Sequence, residues 1–419
     1  MSEIVRFVHV ADMHLDAPFS GVRADDARVG AALAEATYAA FDRVIDACIS
    51  RDARFLVIAG DAYNSSDSSL KAQRHFRMGM ERLDEAGVEV FVTHGNHDPA
   101  SGWSAGFTLP ENVHVFPADR VGRFEVTSEG RTIAAVYGRS FARADETENI
   151  ALGYRRQDGD PFAVGVMHAN VGGDPDYDPY APATLDDLRA SRMDYWALGH
   201  IHKHEVLARD PWVVYSGSTQ GLNPKETGAH GCVVVDIDAS GIVAVEHVET
   251  AQIGWAQIDF DIAAVGSLEE LHARLTEVCE TIRREAARPT VVRLTLVGRS
   301  PVHPDLTRPG VLADLADGLR RDQAASAPWI WVDRVTDVSS PVLDIDAMRS
   351  GKDFAAELVR IADDLALDPA ALRAILDEIA APLGTPLPRF KPGIDPSQAL
   401  AAARDAALDL LLADGGTLP

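Results

Sequence analysis

Short apolar runs alternate with stretches of helical periodicity over about the first 255 residues of the chain. Residues 33–49 and 70–86 carry apolar side chains at helical spacing. The apolar runs predict strands at residues 5–10, 55–59, 88–93, 133–137, 163–167, 195–198, 213–215 and 232–237. Several of these runs are almost entirely apolar, which is typical of strands in sheets that are covered on both faces. The pattern therefore predicts an α/β sandwich with sheets inside and helices outside.

The same alternation restarts at a smaller scale from Trp255 onward. Strands at 256–260, 291–297 and 330–335 alternate with helices at 268–284 and 311–320, which predicts a compact βαβαβ domain. Beyond Leu343 the pattern becomes helical, with helices at 354–365, 369–379 and 397–412 and a Pro-rich break at 384–396. We therefore predict three parts, namely residues 1–254, 255–340 and 341–419.

The last predicted helix carries an apolar stripe. Its members are Leu400, Ala403, Ala407, Leu410 and Leu411. A stripe of this kind either packs on the rest of the chain or docks a partner, and the sequence leaves both alternatives open.

Composition and charge narrow the class of protein. The chain has 419 residues, and its hydrophobic share of 46% and charged share of 25% are those of a globular protein able to bury a core without disulfides. We find neither a membrane-spanning apolar segment nor a secretory leader, and three scattered cysteines favour a reducing, cytoplasmic location. The formal net charge of −25 argues against a broadly basic surface. A local groove or a bound metal can still reverse the field where a nucleic acid binds.

Five short polar motifs follow the predicted strands in order. They are Asp12-x-His14, Gly60-Asp61, Gly95-Asn96-His97-Asp98, His168 and Gly199-His200-x-His202. Ligands gather at the carboxyl ends of strands in open α/β sheets, so we expect these motifs to meet. Each motif alone is a weak signal, whereas the ordered series of five indicates one site.

The ligand types in these motifs predict two metal ions. The candidate ligands are Asp12, His14, Asp61, Asn96, His168, His200 and His202. Seven side chains are too many for one tetrahedral ion and suit two ions that share a carboxylate, for which Asp61 is the best placed. Imidazole with carboxylate and amide oxygens favours manganese, zinc or iron, whereas magnesium prefers almost all-oxygen ligands. Two such ions can clamp a phosphate and activate water, which is the chemistry of phosphoester hydrolysis.

The five motifs together resemble those of the calcineurin-like metallophosphoesterases. Within that superfamily the chain is most similar to the SbcD-type DNA double-strand-break repair nucleases, in their YhaO-like branch. That closer similarity lies in the segments FVHVADMHLDAPF, GDAYNSSDSS, ALGHIHKHEVL and YSGSTQGLNPKE. The resemblance implies a four-layer α/β/β/α sandwich with a small capping domain and a helical C-terminus.

The resemblance also implies a role for each site residue. Asp12, His14, Asp61 and His202 would hold the first ion, and Asp61, Asn96, His168 and His200 the second. His97 would protonate the leaving oxygen or stabilise charge on the phosphate. Asp98 would orient the His97 ring.

The implied activity is metal-dependent hydrolysis of DNA in repair, as an exonuclease that uses two divalent ions, manganese foremost and magnesium also allowed. The implied partners are DNA and an SbcC-like, SMC-type ATPase, and a homodimer is compatible. Two alternatives remain open: a small-molecule phosphodiesterase or nucleotidase of the same superfamily, and a non-catalytic scaffold subunit.

One residue departs from the pattern of the repair nucleases. Many of them carry a histidine three residues after the bridging aspartate, whereas this chain has Asn64. Asparagine can hydrogen-bond a phosphate oxygen but cannot transfer a proton. The resemblance therefore does not extend automatically to both exonuclease and endonuclease activity.

Overall fold

The computed structural model describes residues 4–22, 26–64, 69–102, 106–380 and 396–413. Its contacts divide the chain into two units. Unit 1 comprises Met1–Ile258, Val278–Arg293 and Arg320–Asp333, and unit 2 comprises Asp259–Glu277, Leu294–Leu319 and Arg334–Pro419. The division into parts at residues 254 and 340 stays a prediction.

The chain alternates strands and helices along most of its length. The strands are β1 (Val5–Val10), β2 (Phe55–Ala59), β3 (Glu89–Thr93), β4 (Val113–Val115), β5 (Gly122–Ser128), β6 (Arg131–Gly138), β7 (Ala163–His168), β8 (Tyr195–Gly199), β9 (Glu205–Arg209), β10 (Trp212–Tyr215), β11 (Gly231–Asp238), β12 (Gly241–Glu249), β13 (Gly254–Asp261), β14 (Thr290–Val297) and β15 (Ile330–Asp337). The helices are α1 (Ala27–Ser50), α2 (Leu70–Glu85), α3 (Leu185–Ala190), α4 (Leu268–Ala286), α5 (His303–Leu306), α6 (Val311–Gln323), α7 (Ile345–Arg349), α8 (Phe354–Leu367), α9 (Pro369–Ala380) and α10 (Pro396–Ala413).

Unit 1 contains two six-stranded sheets. The first has the order β12-β11-β1-β2-β3-β4, in which β1 to β4 run parallel and β11 and β12 pair antiparallel. The second has the order β5-β6-β7-β8-β10-β9, with four parallel strands inside and an antiparallel strand at each edge. The carboxyl ends of β1, β2 and β3 therefore meet at one edge of the first sheet, and those of β7 and β8 at one edge of the second.

Three apolar cores separate four layers. The first lies between the first sheet and the helices α1 and α2, and the second lies between the two sheets. In that second core Phe7 stacks on Phe55 at 4.8 Å between ring centroids and meets Tyr195 edge-on at 5.2 Å. The third core covers the outer face of the second sheet. The layers thus follow the expected order α/β/β/α, although the last is thin, consisting of the six-residue α3, a 3-10 turn at Ile150–Gly153 and loops.

Every predicted strand is present to within two residues at each end. Four strands were not predicted, namely β4, β5, β9 and β12, and these are the four edge strands of the two sheets. Edge strands face solvent, and charged side chains occur in β5 and β9, while β4 has only three residues. β12 does contain an apolar run, at residues 242–245, which the strand prediction missed. β12 has no fully buried residue, and β9 has the sequence EVLAR.

The smaller sheet has the order β13-β14-β15, and its strands alternate with α4 to α6, close to the predicted βαβαβ pattern. The predicted break at 384–396 lies outside the described residues except for Pro396. No helix of the described residues is long and apolar enough to cross a bilayer.

In unit 2, α10 packs against α8, and Arg299 forms ion pairs with Asp405 and Asp409 of α10. Leu408 of α10 is fully buried, whereas Leu410 of the predicted stripe is 75% exposed. Leu400, Ala407 and Leu411 of the stripe are half-buried, whereas Ala403 and Leu410 are exposed, so only part of the predicted stripe contributes to packing.

Candidate active site

The five predicted motifs lie at the carboxyl edges of the two sheets. Asp12, Asp61 and Asn96 follow β1, β2 and β3, respectively, His168 is the last residue of β7, and His200 follows β8 directly. The first three come from one sheet and the last two from the other. The two sheets therefore contribute facing halves of one site.

Glycines allow the two sheets to approach closely at this point. A Cβ atom on Gly199 would lie 2.0 Å from the carbonyl oxygen of Ala59, and one on Gly60 would lie 2.4 Å from Nδ1 of His168. Because residues 60 and 199 have no side chains, the His168 ring can extend from the second sheet to the first. Its Nδ1 donates to the carbonyl of Ala59 at 2.9 Å. One contact thus joins the end of β7 to the end of β2.

Four of the candidate ligands have a backbone conformation that is rare outside glycine. Their φ angles are 51° for Asp12, 43° for His14, 52° for Asp61 and 97° for His200. Such a conformation costs about 1–3 kcal/mol for each residue and persists only where the surrounding structure imposes it. The four angles occur in one place. The fold therefore accepts a local loss of stability there in order to direct these side chains into the site.

The described residues form three sets that could hold a metal. These are Asp12 with His14 and His202, His14 with Asp61 and His97, and Asp12 with Asp61 and His168. Asp61 belongs to two sets and lies 3.9 Å from Nε2 of His14 and 3.4 Å from Nε2 of His168. It therefore has neighbours on both sides, as the proposed bridging role requires.

Polar ligand atoms face one another at close range at two points of this cluster. The Nε2 atoms of His14 and His202 are 3.0 Å apart. The Nε2 atom of His168 lies 2.9 Å from Oδ1 of Asn96, while its Nδ1 is already used as the donor to Ala59. Nε2 of His168 and Oδ1 of Asn96 are then both acceptors, which repel unless a proton or a cation lies between them. The buried Nδ1 of His14 has no hydrogen-bond partner. The donor set therefore fits divalent cations that accept nitrogen and oxygen ligands.

Burial shifts the pKa values of these groups strongly. Desolvation raises the pKa of Asp12 to about 8 and also raises that of Asp61, because both carboxylates are buried. Desolvation lowers the pKa of His168 to about 3 and that of His14 well below its usual value. Neutral histidines are the form that binds metals, and buried carboxylates gain most from a nearby cation.

His200 is held by a ring contact and by a backbone contact. Its Nε2 donates to the carbonyl of Asp178 at 2.8 Å, and its backbone N–H donates to both carboxylate oxygens of Asp12 at 3.0 and 3.1 Å. Only Nδ1 of the ring then remains as a ligand atom. His200 thus also fixes the Asp12 side chain through its backbone.

His97 is exposed at the site, and its Nδ1 donates to the backbone carbonyl of Asn64 at 2.7 Å. The expected role of Asp98 in orienting this ring is therefore corrected. The Asp98 carboxylate accepts the backbone N–H groups of Gly95, Asp61 and Ala62 at 2.7, 3.2 and 2.8 Å. Asp98 holds the turn that carries Asp61 against the turn that carries His97.

Comparison with known proteins agrees with this geometry. The family described as calcineurin-like phosphoesterase matches residues 5–204, and the family described as metallophosphoesterase YhaO, middle domain, matches residues 255–339. A relative from Bacillus subtilis, named uncharacterized metallophosphoesterase YhaO, is 36% identical over 332 residues, which cover 79% of this chain and 81% of the relative. The chain belongs to the calcineurin-like metallophosphoesterases. It is thus a metal-binding phosphoester hydrolase of the YhaO-like branch.

More distant relatives of this metallophosphoesterase are named DNA double-strand break repair protein Mre11. The one from Thermoplasma acidophilum is 23% identical, over 67% of this chain and 74% of that protein. The one from Methanopyrus kandleri is 25% identical, over 71% of this chain and 66% of that protein. Family membership implies that the protein binds divalent metal ions.

Two groups of residues in the metallophosphoesterase site were not predicted. The Glu226 carboxylate accepts a hydrogen bond from Nδ1 of His202 at 2.9 Å. Burial by itself would lower the pKa of His202, but this hydrogen bond and the nearby carboxylates outweigh it and raise the pKa to about 9. Tyr177 and Tyr180 line the cavity of about 300 Å³ beside Asp61 and His97. The sequence signal for Glu226 was only a carboxylate in a Pro- and Gly-containing loop after β10.

Proposed function

We propose that this metallophosphoesterase is a DNA nuclease that hydrolyses phosphodiester bonds at a two-metal site, acting as an exonuclease in DNA repair with manganese. The observation that carries the proposal is the meeting of ligands from both sheets around Asp61, beside an exposed His97. The names of the Mre11 relatives support DNA as the substrate.

The proposed ligands are Asp12, His14, Asp61 and His202 for one ion, with Asp61, Asn96, His168 and His200 for the other. Ions bound there would supply Lewis-acid activation of water and neutralise charge on the phosphate. Asp98 holds the two turns in place through three backbone N–H groups.

His97 is the proposed catalytic residue. Because the carbonyl of Asn64 can only accept, Nδ1 of His97 must carry a proton, and Nε2 is the atom left for the substrate. A protonated Nε2 can donate to the leaving oxygen, and a neutral one cannot. His97 and Asp61 line the same cavity, so a phosphate held near Asp61 lies within reach of the ring.

The net charge of −25 shapes the proposed binding of DNA. A negative charge of this size repels the phosphates of DNA at long range. We therefore propose that a confined groove, the metals and a partner subunit bind the DNA. We expect weak affinity of the isolated chain for DNA, falling steeply with salt.

The proposed partner is an SbcC-like, SMC-type ATPase. Support comes from the helices of unit 2, where Phe354, Leu367 and Leu410 are 63%, 84% and 75% exposed. Exposed large apolar side chains on neighbouring helices suit a protein interface. A homodimer is a second arrangement compatible with such a surface. A cytoplasmic location belongs to the same proposal, and Cys48, Cys232 and Cys279 are free, buried thiols.

The test is hydrolysis of linear duplex and single-stranded DNA with manganese, compared with hydrolysis of nucleoside monophosphates and cyclic nucleotides. We expect DNA cleavage, with kcat lowered by about 10²–10⁴-fold in His97→Ala, because loss of a general acid costs that much. His75→Ala is the matched control, since His75 pairs with Asp42 on the surface of the helices. Hydrolysis of nucleotides alone would overturn the DNA proposal.

The small-molecule alternative rests on two observations. The acidic charge repels polyanions, and a cavity of about 300 Å³ suits a single nucleotide. The substrate comparison above separates the two functions.

The scaffold alternative makes a different prediction. A non-catalytic subunit would have no need of metal, so two equivalents of bound manganese by elemental analysis would argue against it.

A further inference from the structure

Glu226 holds His202 in one orientation. A carboxylate can only accept, so Nδ1 of His202 carries the proton of their 2.9 Å hydrogen bond, and Nε2 faces His14. The side chain of Glu226 is only 13% exposed. Rotation of His202 away from the cluster would therefore remove one of the hydrogen bonds of a buried carboxylate, which is costly.

The Glu226 carboxylate is itself fixed by its own loop. Its Oε2 accepts the backbone N–H of Leu222 at 2.6 Å, and its Oε1 accepts Nδ2 of Asn223 at 2.6 Å. The backbone N–H of Glu226 donates to the carbonyl of Asn223 at 3.0 Å. Both carboxylate oxygens are thus occupied, and the position of Glu226 depends on the position of the loop from Gly221 to Glu226.

The first half of β13 holds this loop. The indole N–H of Trp255 donates to the carbonyl of Gly221 at 2.9 Å, and the amide of Gln257 donates to the carbonyl of Pro224 at 2.5 Å. Trp255 and Gln257 are two residues apart on a strand, so both side chains point to the same face. Trp255 is also buried and stacks on Phe19, which further limits its movement.

We propose that Glu226 is a positioning residue for His202, and that Trp255 and Gln257 of β13 set the position of Glu226 and thereby the metal affinity of the site. The inference rests on the proposed function insofar as His202 is taken as a metal ligand. A change in β13 then alters metal binding without touching any ligand. The carboxylate orients the ring, and the strand orients the carboxylate.

The test measures manganese binding to the full chain by calorimetry, together with the unfolding midpoint in a chelator. We expect Glu226→Gln to weaken the ion held by His202 by about 10–100-fold, the usual effect of removing the partner of a ligating histidine. Gln257→Ala should weaken it in the same direction by a smaller factor. Glu246→Gln, which removes an exposed carboxylate paired with Arg51, is the matched control and should bind manganese like the parent chain.

A double variant separates the proposed relay, by which β13 acts on His202 through Glu226, from a general loss of stability. If Gln257 acts through Glu226, adding Gln257→Ala to Glu226→Gln should change manganese affinity little further. A structural role alone would lower the unfolding midpoint in the chelator and leave affinity unchanged, and this outcome would overturn the proposal. Additive losses in the double variant would overturn the β13 part.

The same measurements keep this inference distinct from the proposed nuclease activity. A chain that binds manganese but cleaves no DNA would refute the nuclease and leave the relay standing if Glu226→Gln weakens binding. Normal binding in both single variants would refute the relay alone. A parent chain that binds no manganese would overturn both.

Discussion

Four of the five histidines of this site are held in two different ways. On one side, His168, His200 and His97 each donate a ring N–H to a backbone carbonyl. On the other side, His202 donates to the side chain of Glu226. A backbone carbonyl moves only with its strand or loop, whereas a carboxylate is removed by one substitution. The carbonyl-held histidines should therefore tolerate changes in neighbouring side chains, and the carboxylate-held one should be adjustable.

The strongest test of this comparison removes the residue between the two sides. Asp61→Ala should lose more bound metal than His14→Ala, because a bridging carboxylate serves both ions and a histidine serves one. Elemental analysis of the purified variants after loading with manganese measures this difference. Equal occupancy in the two variants would contradict the bridge and leave the two sides independent.

The contacts of the carbonyl-held histidines can be disrupted by a substitution that displaces the backbone carbonyl. Gly199→Ala places a Cβ atom 2.0 Å from the carbonyl of Ala59 and 2.8 Å from Nδ1 of His168. We expect the two sheet ends to separate, with a loss of about 1–3 kcal/mol in the free energy of unfolding, as for other overpacked sites. Urea unfolding measures the loss.

The control for this variant is Gly30→Ala. Gly30 lies inside α1 and has open space around its Cβ position. Alanine favours a helix more than glycine does, so this variant should be neutral or more stable. A loss in Gly30→Ala as large as that in Gly199→Ala would show that the close approach of the sheets is not the cause.

Interior strands and edge strands explain how far the fold could be predicted. A strand covered on both faces is mostly apolar, so β1, β2, β3, β7, β8 and β11 are apparent in the sequence. β12 lies at an exposed edge and has no buried residue, and β4 has only three residues. Such strands are specified by their neighbours more than by their own residues.

The same distinction applies to the site. The ligand types and their order after the strands predicted which side chains would meet, because parallel strands bring their carboxyl ends together. The partners of those side chains left no signal. Backbone carbonyls such as that of Asn64 carry no sequence identity, and Glu226 lies 24 residues from His202. Asp98 was misassigned because adjacency in sequence was taken for contact.

His9 lies outside the site and is also held by a backbone carbonyl, so it provides a test with a smaller expected effect. His9 donates from Nε2 to the carbonyl of Leu198 at 3.1 Å, and its Nδ1 meets the hydroxyl of Tyr195 at 3.0 Å. Burial lowers the pKa of His9 from 6.5 to about 3. The unfolded chain takes up this proton near pH 6.5 and the folded chain only near pH 3. Stability is therefore greatest above pH 6.5 and is lost as the pH falls through that window.

The expected size of this effect is at most about 1.4 kcal/mol for each pH unit. Urea unfolding at pH 7 and at pH 5.5 measures it, with the parent chain compared with His9→Gln, which cannot titrate. The variant should show the shallower dependence on pH. An identical dependence in both proteins would mean that His9 takes up its proton in the folded chain as readily as in the unfolded one.

The smallest expected effect concerns Asn64, where many repair nucleases have histidine. The contact that orients His97 comes from the backbone carbonyl of Asn64, and every residue type provides that carbonyl. Asn64→Ala should therefore change kcat by no more than about twofold, which corresponds to the ±0.5 kcal/mol typical of substitutions that remove no specific contact. Steady-state rates at saturating substrate measure this, with His97→Ala as the reference for a lost ring. A loss in Asn64→Ala that approaches the loss in His97→Ala would place the Asn64 amide on the substrate, and the orientation of His97 would then depend on a side chain after all.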